Sequence, residues 1–501
     1  MSTPIDLSTP AGATLALLPE LLLTGWALVV LLVVGWRHRT AQDMRLVGVL
    51  SLVGYLLAGA GTAYLAAIGA HPDGLAMMVA LDGFRFASDA LLLGIGFAIT
   101  IMSLRWLERQ GILAPEYYVL LMLATVGMML LAGSVDMTTL FLGLEVMSIS
   151  VYVLAGYDRT RRASAEAALK YFLIGAFASG FLLYGIALTY GATGQFNFAL
   201  IGAQLASTPP TLMAKFGMGL LLVGFAFKVA AVPFHAWAPD VYEGAPTPVT
   251  SFMASGVKAA AFLALARLLA EAFPAYVELW RPILAGLAIV TILIGNLVAL
   301  AQTSLKRMLA YSAIAHAGYL FLALYANSDE GTAAVMVYLI AYSITTVAAF
   351  GILASIERAG ARTVQLTDLE GLYGVRPFAS LGLSLCMLSL LGFPGTFGFV
   401  GKWFLISATL RQDEVLLPVV AMIGSGISIG YYLPVVLSMT LKPTRTRQAH
   451  QSIRFPLPAK VAVAVCIAAI VVLGVWPQPV LDFAGQTAGQ LRAIATPILT
   501  R

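Results

Sequence analysis

Residues 224–262 read GFAFKVAAVPFHAWAPDVYEGAPTPVTSFMASGVKAAAF. Lys228 and Lys258 stand inside apolar sequence. Between them come Pro233, Pro239, Pro246 and Pro248, with His235, Asp240 and Glu243. A lysine in hydrocarbon costs roughly 2.5–3.5 kcal/mol on insertion scales, so such residues face a partner or water and are usually functional. Burial disfavours the charged ammonium, which brings a lysine within reach of releasing and regaining its proton. Pro233 removes one helical hydrogen bond and frees the carbonyl four residues back, that of Val229. Broken backbone at membrane depth is tolerated only inside protein or beside a wet cavity. The stretch therefore predicts an interrupted crossing next to a proton-handling lysine. The plainer alternative is a kink with a lysine paired for structure.

The rest of the chain is a setting for such a segment. Of 501 residues, 60% are hydrophobic and 11% charged, and the mean hydropathy is +0.90. Soluble proteins carry about 25% charged residues, so this reads as an all-α polytopic membrane protein. Cys386 and Cys466 lie in apolar runs, which points to neither a disulfide framework nor a thiolate metal site. The net charge of +5 follows membrane topology and does not indicate nucleic acid. Asp6 and Glu20, with no basic region ahead of the first apolar run, argue against a cleaved signal peptide.

A crossing helix needs about 20 mostly apolar residues. Segments near 16–36, 46–69, 82–104, 117–132, 137–156, 168–190 and 216–234 qualify. So do those near 246–270, 280–301, 308–326, 332–356, 379–409, 416–440 and 459–477, which gives about fourteen. The loop 191–215 has room for a short helix, interrupted by TPP at 208–210. Loop charge sets the orientation. Most of the 29 Lys and Arg fall in alternate loops, at Arg37, Arg39 and Arg45, then Arg105 and Arg109, then Arg159, Arg161, Arg162 and Lys170. The series continues with Lys306 and Arg307, then Arg358, Arg362 and Arg376, then Lys442, Arg445, Arg447, Arg454 and Lys460. The other side holds Lys215, Arg267, Arg281, Arg411, Arg492 and Arg501. The bias never inverts along the chain, which predicts both termini outside.

Several charges stay inside spans. In DGFRFASDALLL, Asp82, Arg85 and Asp89 share one helix face, and an internal ion cluster near a span end is the favoured reading. Glu145 is the single carboxylate of TTLFLGLEVMSISVYVLAGY, about nine residues and roughly 13 Å into its span. Lys228 is its natural partner. Such a pair can switch, the lysine keeping its proton when the carboxylate is near and releasing it when apart. A permanent bridge fixing two helices competes with that reading. Lys258 lies twelve residues after Pro246, about 18 Å into its helix, too deep to snorkel. Lys402 sits in LLGFPGTFGFVGKWFL, broken by Pro394-Gly395 and followed by Gly398 and Gly401. Two interrupted segments, each with one lysine, point to a transporter of repeated halves. His316, in KRMLAYSAIAHAGYL, is placed to bridge lysines by exchanging protons, or is a hydrogen-bonded core histidine. His235 is expected at a helix end near the cytoplasmic surface, with a role in proton uptake. His38, His71 and His450 lie in loops. No nucleophile–base set, zinc spacing or nucleotide loop is present in the sequence, so proton or cation movement is the chemistry left open.

FKVAAVPFHAWAPDVYEGAPTPVTSF, SLKRMLAYSAIAHAGYL and LLGFPGTFGFVGKWFL together resemble the antiporter-like membrane subunits of respiratory complex I, the proton-pumping NADH:quinone oxidoreductase. The likeness spans most of the chain. The length and a lysine at 402, where the middle member of the family is expected to carry glutamate, resemble the subunit N branch of the bacterial enzyme. Subunits of multisubunit cation/proton antiporters are the alternative. The resemblance implies two inverted five-helix repeats, with discontinuous helices at the seventh and twelfth crossings. It implies a three-helix segment at 1–116, repeats at 117–272 and 273–440, and a C-terminal helix and tail at 441–501. It matches Glu145 and Lys228 to the coupling pair, Lys258 to the connecting lysine, Lys402 to the exit-side lysine and His316 to a polar relay position. It further implies no cofactor on this chain, with NADH, FMN, iron–sulfur clusters and quinone held by other subunits. The partners it implies are the neighbouring membrane-arm subunits and lipid, with no nucleic acid, in the bacterial inner membrane.

Overall fold

The computed structural model describes residues 3–7, 9–38, 40–73, 78–357, 364–443 and 455–499. Arg39, Arg358, Arg362, Arg445, Arg447, Arg454, Arg501 and His450 lie outside the described residues. The first helices are α1 (Pro10–Ala16), α2 (Leu18–Trp36), α3 (Ala41–Ala67), α4 (Gly83–Arg109), α5 (Glu116–Gly133), α6 (Met137–Ala155) and α7 (Arg162–Thr193). Then come α8 (Phe198–Ser207), α9 (Leu212–Lys228), α10 (Trp237–Gly244) and α11 (Thr247–Glu271), the last with a π-helical turn at Met253–Val257. The remainder are α12 (Val277–Ala299), α13 (Leu305–Ala326), α14 (Asp329–Ile356), α15 (Pro377–Leu391), α16 (Phe397–Leu410), α17 (Leu416–Leu441), α18 (Leu457–Val475) and α19 (Gln478–Leu499). Among the described residues the helices are joined by a parallel pairing of β1 (Thr3–Asp6) with β2 (Ala70–Asp73) and by three isolated antiparallel bridges, Val79 with Ser134, Asp136 with Asn197 and Ser304 with Gln365.

Helix starts follow local chemistry. Asp82, Asp136, Asn197, Thr211, Ser304 and Ser328 each accept hydrogen bonds from first-turn amides, groups that the helix itself leaves unpaired. Thr40 and Asp43 form a reciprocal capping box at the head of α3.

Among the described residues, twelve helices are long and apolar enough to cross a membrane. The other two expected crossings, the seventh and the twelfth, are the interrupted ones. The seventh departs from the proline-kink expectation, because α9 ends outright at Lys228 and the chain turns through Ala230 at φ 59°. Pro233 therefore follows a helix end and does not bend a continuous helix. The twelfth is split between α15 and α16, and Gly392, at φ 87°, ends its first half. Positive φ strains any residue with a Cβ, which is why glycine stands there.

The twelfth crossing comes five after the seventh, an odd step, so the two interrupted crossings run in opposite directions. Helix packing repeats as well. A Cβ on Gly127 of α5 would lie 2.3 Å from the Met147 amide of α6. A Cβ on Gly295 of α12 would lie 2.7 Å from the Ala315 amide of α13. Small residues allow such backbone approach where lipid supplies no hydrophobic drive between helices.

Two loop assignments are corrected. Arg267, expected in an outer loop, sits within α11 at 0% exposure, gripped by Asp82 and Glu271. Lys306, expected in a basic loop, is also wholly buried and donates to the Ala245 carbonyl at 2.7 Å. Hydropathy windows place both at span ends. The carboxyl groups of Asp82 and Glu271 admit Arg267, and the Ala245 carbonyl admits Lys306. The loop after α7 holds α8, and the amphipathic α19, unforeseen in the sequence, packs across α4, α8, α11 and α14.

Candidate functional site

Lys228 is the last residue of α9 and 8% exposed. Its Nζ donates to Ser148 Oγ at 2.7 Å and lies 5.5 Å from the ring centroids of both Tyr152 and Tyr171. Glu145 and Ser148 are one turn apart on the same face of α6. Glu145 is half-buried and accepts a hydrogen bond from Ser179 of α7. The direct ion pair expected of Glu145 and Lys228 is not formed. Each is held by its own serine, and no contact between them within 4.0 Å occurs among the described ion pairs. The aromatic faces account for the position of the ammonium, since ring quadrupoles attract a cation within about 6 Å. A cavity of about 10 Å³ beside Lys228, Ser179, Tyr152, Tyr171 and Trp237 matches the space of about one water.

Lys258 begins the regular part of α11 after the π turn and is 2% exposed. Its Nζ donates to the Ala313 carbonyl of α13 and lies 5.7 Å from the Tyr342 ring. His316 is one turn beyond Ala313. Its Nδ1 is 2.5 Å from Tyr338 Oη and its Nε2 3.2 Å from Tyr432 Oη. Tyr432 in turn contacts Ser312. The His316 ring centroid lies 4.9 Å from that of Tyr342 and 5.8 Å from that of Tyr319.

Lys402, on α16, is 7% exposed. Its Nζ donates to the Leu391 carbonyl at 2.9 Å and to Ser425 Oγ at 3.3 Å. Leu391 is the last residue of α15, so the break in the twelfth crossing supplies the acceptor. The Lys402 Nζ is 4.7 Å from the Tyr319 ring, and Tyr319 Oη is 3.4 Å from Ser425 Oγ. Ring and imidazole contacts therefore run from Lys258 through Tyr342, His316 and Tyr319 to Lys402. The structure brings these residues together as the sequence suggested, and it adds the tyrosines.

His235 lies in the turn between α9 and α10 and is half-buried. Its Nδ1 is buried and has no hydrogen-bond partner among the described residues, so it is not joined to the lysines. Beyond it, Arg307 Nη1 donates to Asp240 at 2.8 Å and to Glu243 at 3.2 Å, and Lys170 Nζ to Asp240 at 2.7 Å. Asp240 lies outside the membrane-spanning segments. Burial pushes its carboxyl up, but hydrogen bonds from Lys170 and Arg307 and their charges outweigh this and hold it below the usual carboxylate range. Asp240, Glu243 and Lys170 border a cleft of about 290 Å³, lined also by Arg161, Glu166 and Gly244.

Sequence reasoning missed Ser148, Ser179, Ser425 and the tyrosines. Ser148 and Tyr152 were detectable as the one-face continuation of Glu145. Ser425 carries no local signal. Among the described residues, no group of three or more His, Cys, Asp or Glu is placed to hold a metal ion.

A family model described as NADH:quinone oxidoreductase/Mrp antiporter, TM, matches residues 134–428. NADH-quinone oxidoreductase subunit N 2 of Roseiflexus castenholzii is 41% identical over 473 residues, covering 91% of this chain and 93% of that protein. NADH-quinone oxidoreductase subunit N of Gemmatimonas aurantiaca is 41% identical over 510 residues, covering 98% and 96%. Among solved structures, a chain of respiratory complex I from Thermus thermophilus matches with a TM-score of 0.78 at 34% identity, covering 93% of this chain and 99% of that one. A chain of the Mrp complex from a Dietzia species matches at 0.83 and 22% identity, covering 98% and 99%. At that identity the second likeness concerns the fold alone.

Proposed function

This chain belongs to the NADH:quinone oxidoreductase/Mrp antiporter family, among the subunits N, and on that premise we propose how it works as a proton-translocating subunit of the complex I membrane arm. It is a multi-pass protein of the bacterial inner membrane and a component of an enzyme complex. Its own part is translocation without a redox site, while NADH, FMN, iron–sulfur clusters and quinone serve other subunits. Both termini face the periplasm, and the halves 117–272 and 273–440 act as the two repeats.

Protons come from the cytoplasmic side past the Asp240–Glu243 cleft to Lys228. They pass through water to Lys258, cross by His316, and leave from Lys402. Glu145, half-buried on α6, receives the signal of a neighbouring subunit and sets how firmly Lys228 holds its proton. The observation that carries this reading is the run of contacts from Lys258 through Tyr342, His316 and Tyr319 to Lys402. A lysine at each end of an imidazole gives a proton two stations and a carrier between them.

The test uses the assembled complex in inverted membrane vesicles. Lys228→Ala and Glu145→Ala are expected to lower quinone-coupled proton pumping while NADH oxidation by soluble acceptors persists. Normal pumping in both variants rejects the route. Sodium-dependent exchange in vesicles lacking quinone reductase activity would instead favour a cation/proton antiporter subunit.

A further inference from the structure

Where the head of α4 meets the tail of α11 beside α19, charged side chains from three regions are buried together. They are Glu20 on α2, Asp82 with Arg85 and Asp89 at the head of α4, and Arg267 with Glu271 at the tail of α11. None is more than 5% exposed. Arg267 donates from Nη2 to Asp82 Oδ1 at 2.9 Å, and from Nη1 to Asp82 Oδ2 and to Glu271 Oε1, each at 2.8 Å. Arg85 Nη2 donates to both Glu20 oxygens at 2.8 and 3.0 Å and to the Ala16 carbonyl at 2.9 Å. Its Nη1 donates to the Ala80 carbonyl at 2.7 Å.

Asp89 stands apart from this bonding. Both of its carboxyl oxygens are buried and neither accepts a hydrogen bond among the described residues. Its nearest cation is Arg85 Nε, 3.5 Å from Oδ2, and that Nε likewise donates no hydrogen bond. Among the described side chains the cluster holds four carboxyls against two guanidiniums. Arginine keeps its charge in proteins. Asp82 matches Arg267 through both oxygens, and Glu20 matches Arg85 through both oxygens. Asp89 and Glu271 are then the surplus acids. An uncompensated charge in a dry interior is far more costly than a proton taken up to remove it.

Among the described side chains, the neighbouring elements bring no further cation to Asp89. Helix α2 faces it with Glu20 and α11 with Arg267 and Glu271. Helix α5 packs its Gly133 against the Arg85 side chain. Helix α19 lies across α4 and α11 and fastens there through Gln490, whose Oε1 accepts from the Gly83 amide at 2.7 Å.

We propose that this cluster is a second proton-binding site, sharing no residue with the lysine route, in which Asp89 and Glu271 are held as neutral carboxylic acids beneath α19. Asp89 faces Arg85 and Glu271 is bonded to Arg267, and Asp82 links the two by accepting from the Arg85 amide and from Arg267, so their protons belong to the cluster as a coupled set.

The experiment compares the assembled complex with its Asp89→Asn and Glu271→Gln variants at neutral pH by infrared difference spectroscopy. Asparagine and glutamine keep the shape of a neutral acid. Both variants are therefore expected to assemble at wild-type yield, and each difference spectrum is expected to lose the carbonyl stretch of a protonated acid, a band that shifts in D2O. Asp82→Asn, which removes an ionised partner of Arg267, is expected to lower the assembled yield severalfold. Two results would overturn the proposal. One is a yield for Asp89→Asn and Glu271→Gln as low as that of Asp82→Asn. The other is difference spectra in which only carboxylate bands change.

Discussion

Lys228 reaches Ser148 Oγ at 2.7 Å and leaves Glu145, one turn earlier on the same helix, to Ser179. Lys228 and Glu145 are therefore held apart, each by its own serine. Ser148 holds the ammonium away from the carboxylate. A hydrogen bond to a charged group contributes roughly 1.5–3 kcal/mol, enough to shift a two-state equilibrium by about tenfold or more. Ser148→Ala is expected to let Lys228 fall back towards Glu145 and hold its proton, lowering pumping per quinone reduced while assembly persists. Fluorescence-quench assays of vesicle acidification measure it. Wild-type pumping in Ser148→Ala would show that the serine does not control the pair.

His316 accounts for two buried hydroxyls at once, those of Tyr338 and Tyr432. His316→Leu strands the Tyr338 hydroxyl, at about 1–3 kcal/mol for an unsatisfied group, while Tyr432 keeps Ser312, and is expected to lower the yield of assembled complex. His316→Gln keeps polar atoms near the same positions but carries no proton at any working pH. The expected outcome is normal assembly with lowered pumping. Unimpaired pumping in His316→Gln would make the imidazole a packing residue only.

The crossings were legible because a span needs only length and apolar composition. Two interrupted spans were legible because Pro233, Pro394 and Gly395 are poor helix residues whatever surrounds them, although the helices themselves end a few residues earlier, at Lys228 and Leu391. The buried lysines stood out for the same local reason. Their partners did not. Ser148 lies 80 residues from Lys228, Ser425 lies 23 from Lys402, and the Ala313 carbonyl lies 55 from Lys258. No local pattern marks a hydroxyl or a backbone oxygen as the one that will meet an ammonium. Arg267 shows the converse error. At the end of an apolar run it reads as a loop residue, and only the carboxyl groups of Asp82 and Glu271 explain its place inside.

The helix that bears Glu145 and Ser148 is positioned by glycines. A Cβ on Gly127 would meet the Met147 amide at 2.3 Å and the Gly143 carbonyl at 2.8 Å, both backbone atoms that cannot swing aside. Overpacking of this kind costs typically 1–3 kcal/mol. Gly127→Ala is expected to push α6 from α5, lowering the thermal stability of the assembled complex and displacing Glu145. Gly180→Ala, on α7, meets nothing within 4 Å and is expected to leave stability unchanged. Equal melting of the two variants would refute the close-approach argument.

Asp240 ties α10 to α7 and α13 through Lys170 and Arg307, and its carboxyl is held below the usual range. The sign of its pH effect follows. A carboxyl with a depressed folded pKa binds fewer protons folded than unfolded, so its stabilisation is fully present above the unfolded value, about 3.9 for aspartate. It is lost as pH falls through the lower folded value. The clamp should hold α10 unchanged from neutral pH down to about pH 5 and loosen only in stronger acid. Hydrogen exchange of the α10 amides in the assembled complex checks this. Asp240→Asn is expected to exchange faster at every pH, with no acid-dependent step of its own. Acceleration in the wild-type complex already between neutral pH and about pH 5 would mean that another group, titrating higher, holds α10 in place.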